Sequence, residues 1–552
     1  MIDIDKNTCC GCSACAQVCP QKAIEMKTNE EGFLYPFIDS SKCVSCGLCE
    51  RVCPISATVP NDFSKNDTAI GGWNKDETVL KDSSSGGAFS LFADYVIGLG
   101  GGVIGCALDE KLVAKHILIE KKEDVEKLRG SKYVQSDVDG AYQKAEALLR
   151  QNRPVLFVGT PCQAKGLYLY IGTKYAAGLN NLYICDFICH GTPSPKIFGD
   201  YVEYLEKTEG EKITGFKFRN KIRNWNPSGM QQGTVLITAS GREVTHLPAY
   251  NDSYMNGFLD DLYLRPSCYN CVCKEPEKYY SDFTIADFWG VNKSYPELNN
   301  PKGTSLILFH SDKGRQLFEN VKEGFFFKEV DVNKAVKKNK PLRESMEMNP
   351  NREQFFSDYE KPEMDFGRLS SKYMTAFKWA SHKAIKLALK IYDTVVRNIL
   401  GVVLKLFGIK PDEKKWKSIL QFTRFCLVGV SNAAVSYLLN ITTLLILRPF
   451  GWKYDYVVGN TVAFLLSVLW SYHWNSSYVF RLGRDGKKNK AKTLAKTYLS
   501  YAFSGIVLNN LLGTLWIQVL GLSKFISPLL NLPITVPVNF LLNKLWAYKE
   551  KR

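Results

Sequence analysis

What the 552-residue chain lacks narrows its function first. It holds no Ser/His/Asp arrangement of hydrolase type, no phosphate loop ending in Lys-Ser or Lys-Thr, and no helix with the zinc-protease histidine spacing, so hydrolytic chemistry has no support. Motifs for binding RNA or DNA are also missing, although the formal net charge is +16. Acidic residues are scarce only in the last third: residues 366–552 carry 27 Lys and Arg against 6 Asp and Glu, a net +21, which leaves −5 for residues 1–365. Because the basic third also contains long apolar runs, its charge reads as membrane-proximal, and no nucleic-acid partner is expected. No basic-then-apolar segment opens the chain, and thiolate chemistry rather than disulfides is expected of its 17 cysteines, which places the first part in a reducing cytoplasm. The length suits several domains, each with its own core.

What is present begins with cysteine. Cys9, Cys12, Cys15 and Cys19 followed by Pro20 form C-x2-C-x2-C-x3-C-P, and Cys43, Cys46, Cys49 and Cys53 followed by Pro54 repeat it. Three cysteines two residues apart supply three thiolates to one small body, whereas zinc sites usually use two C-x2-C pairs. The module resembles bacterial-type ferredoxins with two 4Fe-4S clusters, in which the fourth cysteine of each run ligates the other cluster. The resemblance implies the sets Cys9, Cys12, Cys15 with Cys53, and Cys43, Cys46, Cys49 with Cys19. Cys10 falls outside the motif and reads as a spare thiol.

Asn61–Thr78 reads as a polar linker or peripheral segment. Beyond it, SSSGGAFS (83–90) leads into a helical pattern; small residues at a helix start suit a phosphate, and equally make an ordinary cap. Apolar strands are expected at 103–107, 154–158 and 182–188, and their alternation with helical patterns indicates α/β units with ligands at the carboxyl ends of the strands. Cys162 and Cys189 fall at such ends, and Cys268, Cys271 and Cys273 follow in one short stretch.

The ordered motifs SSSGGAFS, GSKYVQS (130–136), GTPCQ (159–163), CHGTPS (189–194), PSCYNC (266–271) and SDFTIADFWG (281–290) resemble the coenzyme F-420 hydrogenase/dehydrogenase beta-subunit family. The resemblance implies an FAD-binding α/β domain with a further 4Fe-4S cluster that passes electrons between flavin, clusters and a soluble redox partner, with the deazaflavin F-420 as one possible substrate. By matching motif, Ser84, Ser85, Gly86 and Gly87 go to the flavin phosphates, and Ser131, Lys132, Tyr133 and Gln135 to other flavin contacts. Cys162, Cys189, Cys268 and Cys271 offer four thiolates for the third cluster, with Cys273 as substitute; buried core cysteines are the alternative, as expected for Cys106 and Cys185. His190 is either a donor to a cluster sulfur or a core histidine. A flavin beside clusters joins two-electron to one-electron chemistry.

From Phe366 onward, Lys378, Lys383, Lys386 and Lys390 interleave with apolar residues, as on a helix lying at an anionic membrane surface or one with a solvated face. Four apolar runs follow, at about 422–447, 456–480, 498–522 and 525–547, each long enough for about 30 Å of hydrocarbon. Arg481, Arg484, Lys487, Lys488, Lys490, Lys492 and Lys496 crowd the middle connection. By the positive-inside rule that loop, the tail Lys549, Lys551 and Arg552, and the redox domains are cytoplasmic.

Arg424-Phe-Cys-Leu-Val-Gly429 with Asn432 is echoed by Tyr501–Gly505 with Asn509, and Tyr472–Phe480 by Asn539–Tyr548. This duplicated hairpin resembles the GtrA-like family, linked to polyprenyl-phosphate sugars. Asn440, Asn460, Asn475, Asn509, Asn510, Asn531 and Asn543 are either functional or helix-joining, and Arg424 and Lys544 are candidates for a lipid phosphate.

The expected whole is multidomain: a ferredoxin-like two-cluster module (1–60), an α/β flavin-binding redox domain (62–365), a basic amphipathic linker (366–417) and an all-α four-helix transmembrane domain (418–552). The function expected is that of a membrane-tethered iron-sulfur flavoprotein oxidoreductase in the cell (inner) membrane, its electrons linked to cell-surface polysaccharide synthesis. The alternative is a polyprenyl-linked sugar carrier with a redox-sensing cytoplasmic domain.

Overall fold

The computed structural model describes residues 5–57, 68–221, 224–225, 233–246, 252–274, 279–406, 411–450, 455–480, 490–503, 508–520 and 527–548. The chain divides into two compact units, Met1–Ala380 and Ser381–Arg552.

In the first unit the cysteine runs are separated by an antiparallel hairpin of β1 (Ile24–Thr28) and β2 (Leu34–Ile38), with Ile24 opposite Ile38. Each run contains a short helix, Ala14–Val18 or Leu48–Arg51, between its second and fourth cysteines. The strands β3 (Thr68–Asn74), β4 (Gly102–Leu108), β5 (Ala114–Ile119), β6 (Val155–Gly159) and β7 (Leu182–Phe187) come next. A three-stranded antiparallel sheet of β8 (Ile213–Lys217), β9 (Thr234–Thr238) and β10 (Glu243–His246) intervenes before β11 (Phe283–Asp287), β12 (Ser305–Phe309) and β13 (Phe325–Val330). The main sheet has the order β13-β3-β12-β11-β7-β6-β4-β5, with β4, β6, β7 and β11 parallel at its centre and antiparallel strands on both sides. Parallel strands are buried on both faces, which is why β6 and β7 read as continuous apolar runs.

One face of the sheet packs Phe92 and Val96 of the helix Ala88–Gly98 against Phe283, Ile307 and Phe318. On the other face, Tyr142 and Leu148 of the helix Ala141–Arg150 and Leu167 and Ile171 of the helix Pro161–Lys174 pack on Ile104, Phe157 and Ile184. Cys12, Ala14, Val18 and Val52 of the cysteine module join this second core. The module and the α/β domain therefore share apolar burial within one unit, rather than being joined by a linker alone.

The stretch read as a linker contains β3. Its glycines weaken the strand signal, yet packing demands them: a Cβ on Gly71 would stand 2.6 Å from the Phe288 ring, and one on Gly72 would stand 2.0 Å from Phe326 O. Residues 61–67 lie outside the described residues.

From Ala376 onward the helices among the described residues are Ala376–Leu406, Glu413–Leu447, Asp455–Trp474, Lys490–Ala502, Asn509–Thr514 and Ser527–Leu542. Among the described residues one helical stretch, Ser418–Phe450, is long and apolar enough to cross a membrane. Four crossings are expected from the sequence, but the later helical segments are shorter; the second, third and fourth runs each end in a π turn, 475–479, 515–519 and 543–547.

Candidate iron-sulfur centre

Both cysteine runs fold into the same loop. The residues flanking the second cysteine have positive φ in each: Gly11 (67°) and Ser13 (59°) about Cys12, and Ser45 (53°) and Gly47 (73°) about Cys46. Left-handed residues at such spacing turn backbone N–H groups toward one concave side, which suits an anionic, sulfur-rich body. The chain then enters the short helix that carries the third cysteine.

The structure brings Cys19 to the second run and Cys53 to the first. Cys43, Cys46, Cys49 and Cys19 line one cavity closed by Ile24, Ile38, Val44 and Leu48. Burial, and then the neighbouring Cys9 and Cys53 sulfurs, push the Cys15 thiol up to about 12. All 17 cysteines are free thiols. Among the described residues no group of His, Cys, Asp or Glu is arranged round a single ion. A cubane spreads its thiolates over four iron corners, and the four sulfurs lining the cavity of Cys43, Cys46, Cys49 and Cys19 offer one thiolate to each.

The parallel strands deliver a further set. β6 ends at Gly159, and the Thr160 N–H donates to Gln163 Oε1 at 3.0 Å, capping the helix whose first turn carries Cys162. Cys189 lies just beyond β7, and Cys268 sits in the turn Pro266–Asn270 that Cys271 closes. With Cys10 and Cys273 these four line a cavity of about 220 Å³. Six sulfurs surround it where a cubane needs four. The Thr192 N–H donates to Cys268 Sγ at 3.4 Å, and Cys10 is within hydrogen-bond reach of Cys12 and Cys162.

Cys10, which reads from the sequence as a spare thiol, lies in the wall of this cavity. Cys9 neighbours Cys15, whereas Cys10 lines the cavity of Cys162. His190 places Nε2 at 2.7 Å from Asp261 Oδ1, which engages that nitrogen with a carboxylate. Cys185 is buried in the sheet core.

The segments assigned to flavin meet at the carboxyl edge of the parallel strands. Ser84 Oγ accepts from the Ser131 N–H at 2.9 Å and stands 3.1 Å from Ser131 Oγ. The Gly86 N–H donates to Ser305 Oγ at 2.9 Å, and Ser305 pairs with Asp287 at the end of β11. Gly87, with φ 78°, caps the helix Ala88–Gly98. Lys221 Nζ donates to Ser85 O at 2.5 Å and Leu80 O at 2.6 Å, and burial, then the Arg219 charge, push it down to about 7. Lys132 Nζ is turned onto the carbonyls of Lys127, Leu128 and Arg129, at 3.2, 3.0 and 2.9 Å, and desolvation lowers it to about 8.

Tyr133 stacks on Phe258 with centroids 4.8 Å apart. Gln135 faces the cysteine module: its Nε2 donates to Cys10 O at 3.1 Å and its Oε1 accepts from Arg265 at 3.0 Å. Sequence reasoning missed Arg265 because a lone arginine beside a proline carries no pattern.

Three segments of the chain match three known families. Residues 8–57 match the 4Fe-4S dicluster domain, residues 152–335 the C terminus of the coenzyme F-420 hydrogenase/dehydrogenase beta subunit, and residues 424–548 the GtrA/DPMS transmembrane domain. This is the order expected from the motifs. The first two matches support an iron-sulfur oxidoreductase, and the third implies a membrane protein. The chain is 27% identical over 115 residues, 21% of its length and 78% of the relative's, to the cell wall teichoic acid glycosylation protein GtcA of Listeria monocytogenes. For the same-named protein of Listeria innocua the figures are 28% over 100 residues, 18% and 68%. Among solved structures, the xenon-derivatized F-420-reducing NiFe hydrogenase complex from Methanosarcina barkeri is matched over 52% of this chain and 90% of that one, at 16% identity and a TM-score of 0.35, too slight a likeness to carry an argument.

Within the GtrA-like segment, some polar side chains join helices and others bond back to their own helix. Ser471 Oγ lies 2.6 Å from Tyr501 OH, Asn475 Nδ2 donates to Ser471 Oγ at 3.1 Å, and Trp516 Nε1 donates to Asn531 Oδ1 at 2.9 Å. The duplication is visible in three dimensions. Asn475 and Asn543 each open a π turn closed at 2.8 Å by the N–H of Phe480 or Tyr548, and those two rings stack with centroids 4.6 Å apart.

Arg424, expected to be available to a lipid phosphate, is bound by Asp393, with Nε to Oδ1 at 3.0 Å. Lys544 Nζ reaches Ser418 Oγ at 3.4 Å and Lys496 Nζ reaches Trp546 O at 3.0 Å. Arg481, Arg484, Lys487, Lys488, Lys549, Lys551 and Arg552 lie outside the described residues, as do the side chains of Lys378, Lys383, Lys386, Lys390, Lys490, Lys492, Asn440, Asn460, Asn509 and Asn510. On the helix Ala376–Leu406, Leu387, Ile391, Val395, Ile399, Val402 and Leu406 form an exposed apolar stripe at helical spacing.

Proposed function

We propose that the chain is a membrane-tethered iron-sulfur flavoprotein that carries electrons from a soluble donor through its two-cluster module to a third 4Fe-4S cluster and FAD. The deazaflavin F-420 is a candidate electron partner. The observation that carries this reading is the six-cysteine cavity, which abuts the first cysteine run through Cys10. Cys9, Cys12, Cys15 and Cys53 would hold the inner cluster, and Cys43, Cys46, Cys49 and Cys19 the outer one. Cys162, Cys189, Cys268 and Cys271 would hold the third, with Cys10 and Cys273 beside them. Cys46 is exposed, which suits the outer site to electron entry.

A bound flavin would supply the exchange between paired and single electrons. The chain's own part is to bind and place the groups. Ser84 and Ser131 hold two loops together at the strand ends, Gly86 permits close backbone approach there, and Lys221 brings a titratable amine to the same edge.

The exposed stripe 387–406 supports a surface-lying helix before the GtrA-like segment, and the Lys/Arg-rich connection 481–496 and tail favour a cytoplasmic redox unit and C-terminus. The teichoic acid glycosylation proteins matched by that segment support electrons serving cell-surface polysaccharide or polyprenyl-linked sugar chemistry. They equally favour a second reading, a lipid-linked-sugar carrier whose redox unit senses. Anaerobic purification with iron, sulfide and flavin counted per chain tests the first: about twelve irons and one flavin are expected. Eight irons would remove the third cluster, and no flavin would remove the flavoprotein. Clusters that cycle without turning over any acceptor would favour the sensor.

A further inference from the structure

Arg265 is fully buried in the contact between the cysteine module and the α/β domain. Its Nε donates to Cys9 O at 2.7 Å, Nη1 to Gln135 Oε1 at 3.0 Å, and Nη2 to Leu34 O at 2.9 Å and Cys9 Sγ at 3.6 Å. The Tyr35 ring lies 4.2 Å from the guanidinium carbon. Among the described residues no carboxylate forms an ion pair with it; both oxygens of Glu31, in the same contact, are bonded to Arg352. A cation removed from water among carbonyls, an amide, a sulfur and aromatic rings, with no carboxylate paired to it, is unfavourable unless an anion stands nearby. Four thiolates round an iron-sulfur core form such an anion, and one-electron reduction makes it more negative.

We propose that Arg265 is the counter-ion built for the inner cluster, and a positioning residue that raises that cluster's reduction potential above that of the outer one. The inference rests on the cluster assignment proposed above. Net charge, hydrogen bonds to sulfur and solvent exposure set such potentials, and a fixed cation beside Cys9 favours the reduced form. Among the described residues the sulfurs of Cys19, Cys43, Cys46 and Cys49 accept no hydrogen bond from Arg or Lys. Electrons entering at the outer cluster would run toward Arg265, and so toward the cavity behind Cys10. The cation belongs to the α/β domain, so the potential step exists only while the module is docked. Gly11 keeps the contact open: with φ 67°, a Cβ there would stand 2.7 Å from Arg265 Nη1.

The test is a potentiometric titration of the full chain, purified anaerobically in detergent and followed by electron paramagnetic resonance, for the wild type, Arg265→Gln and Arg265→Lys. Arg265→Gln is expected to lower one midpoint and leave the others in place, and Arg265→Lys to hold it near the wild-type value. Unchanged midpoints in Arg265→Gln, or a common shift of all of them, would overturn the proposal. If Arg265→Gln does not accumulate, Arg265→Lys decides: full iron with a near-wild-type midpoint supports the role of charge, and loss of the protein or a lowered midpoint overturns it. A wild-type chain without cluster signals would overturn the cluster assignment instead, and is thereby distinguished.

Discussion

Replacing Arg352 by Met should loosen the cysteine module from the α/β domain. Arg352 is 2% exposed and forks onto Glu31 of the module, with Nη1 to Oε1 at 3.0 Å and Nη2 to Oε2 at 2.6 Å. Nε and Nη2 also donate to Leu264 O, at 3.2 and 2.9 Å, directly beside Arg265. The substitution deletes four charge-assisted hydrogen bonds, two of them to the Glu31 carboxylate, and takes the guanidinium away from that buried carboxylate. Breaking one side of such a pair costs about 3–5 kcal/mol, most of it the penalty on the remaining charge. It follows that Glu31→Met with Arg352→Met should lose less than Arg352→Met alone, by about 2 kcal/mol, since no charge is left behind. The measurement is urea denaturation of the full chain in detergent, followed in parallel by tryptophan fluorescence and by visible cluster absorption. A loss below about 1 kcal/mol for Arg352→Met, or a double variant as unstable as the sum of the singles, would refute the reasoning.

Two further outcomes follow from the same geometry. Gly72→Ala puts a Cβ 2.0 Å from the Phe326 carbonyl oxygen and 2.8 Å from the Phe325 ring, so a loss at or above the ~3 kcal/mol end of overpacking is expected in a denaturation midpoint, whereas Gly98→Ala meets nothing within 4 Å and should be neutral. Lys221 is pushed down to about 7 by burial and by Arg219, so above that pH the folded chain binds fewer protons at this site than the unfolded chain. Stability relative to Lys221→Met should therefore rise as pH goes from about 7 toward 10, and a difference that falls over this window would contradict the assignment.

Local chemistry was legible in the sequence wherever it rests on spacing. The two C-x2-C-x2-C-x3-C-P runs need only their own order to turn three thiols inward, and β6 and β7 announce themselves because a strand buried on both faces must be apolar throughout. β3 was not legible, since its Gly71 and Gly72 are chosen by the rings and backbone that press on them and not by strand propensity. The same holds for Arg424, whose partner Asp393 is 31 residues away on another helix.

Residue spacing and composition establish which side chains have metal-ligating chemistry, that strands and helices alternate, and that a basic, apolar third follows a redox part. What those side chains face is set by the packing of segments distant in the chain. Gln135 turns to the cysteine loop, Cys10 joins the cavity of Cys162 and Cys268, and Arg265 comes to Cys9 across 256 positions. Ligand spacing is a property of a few consecutive residues, whereas a buried charge acquires its meaning from whatever distant segment supplies the opposing one.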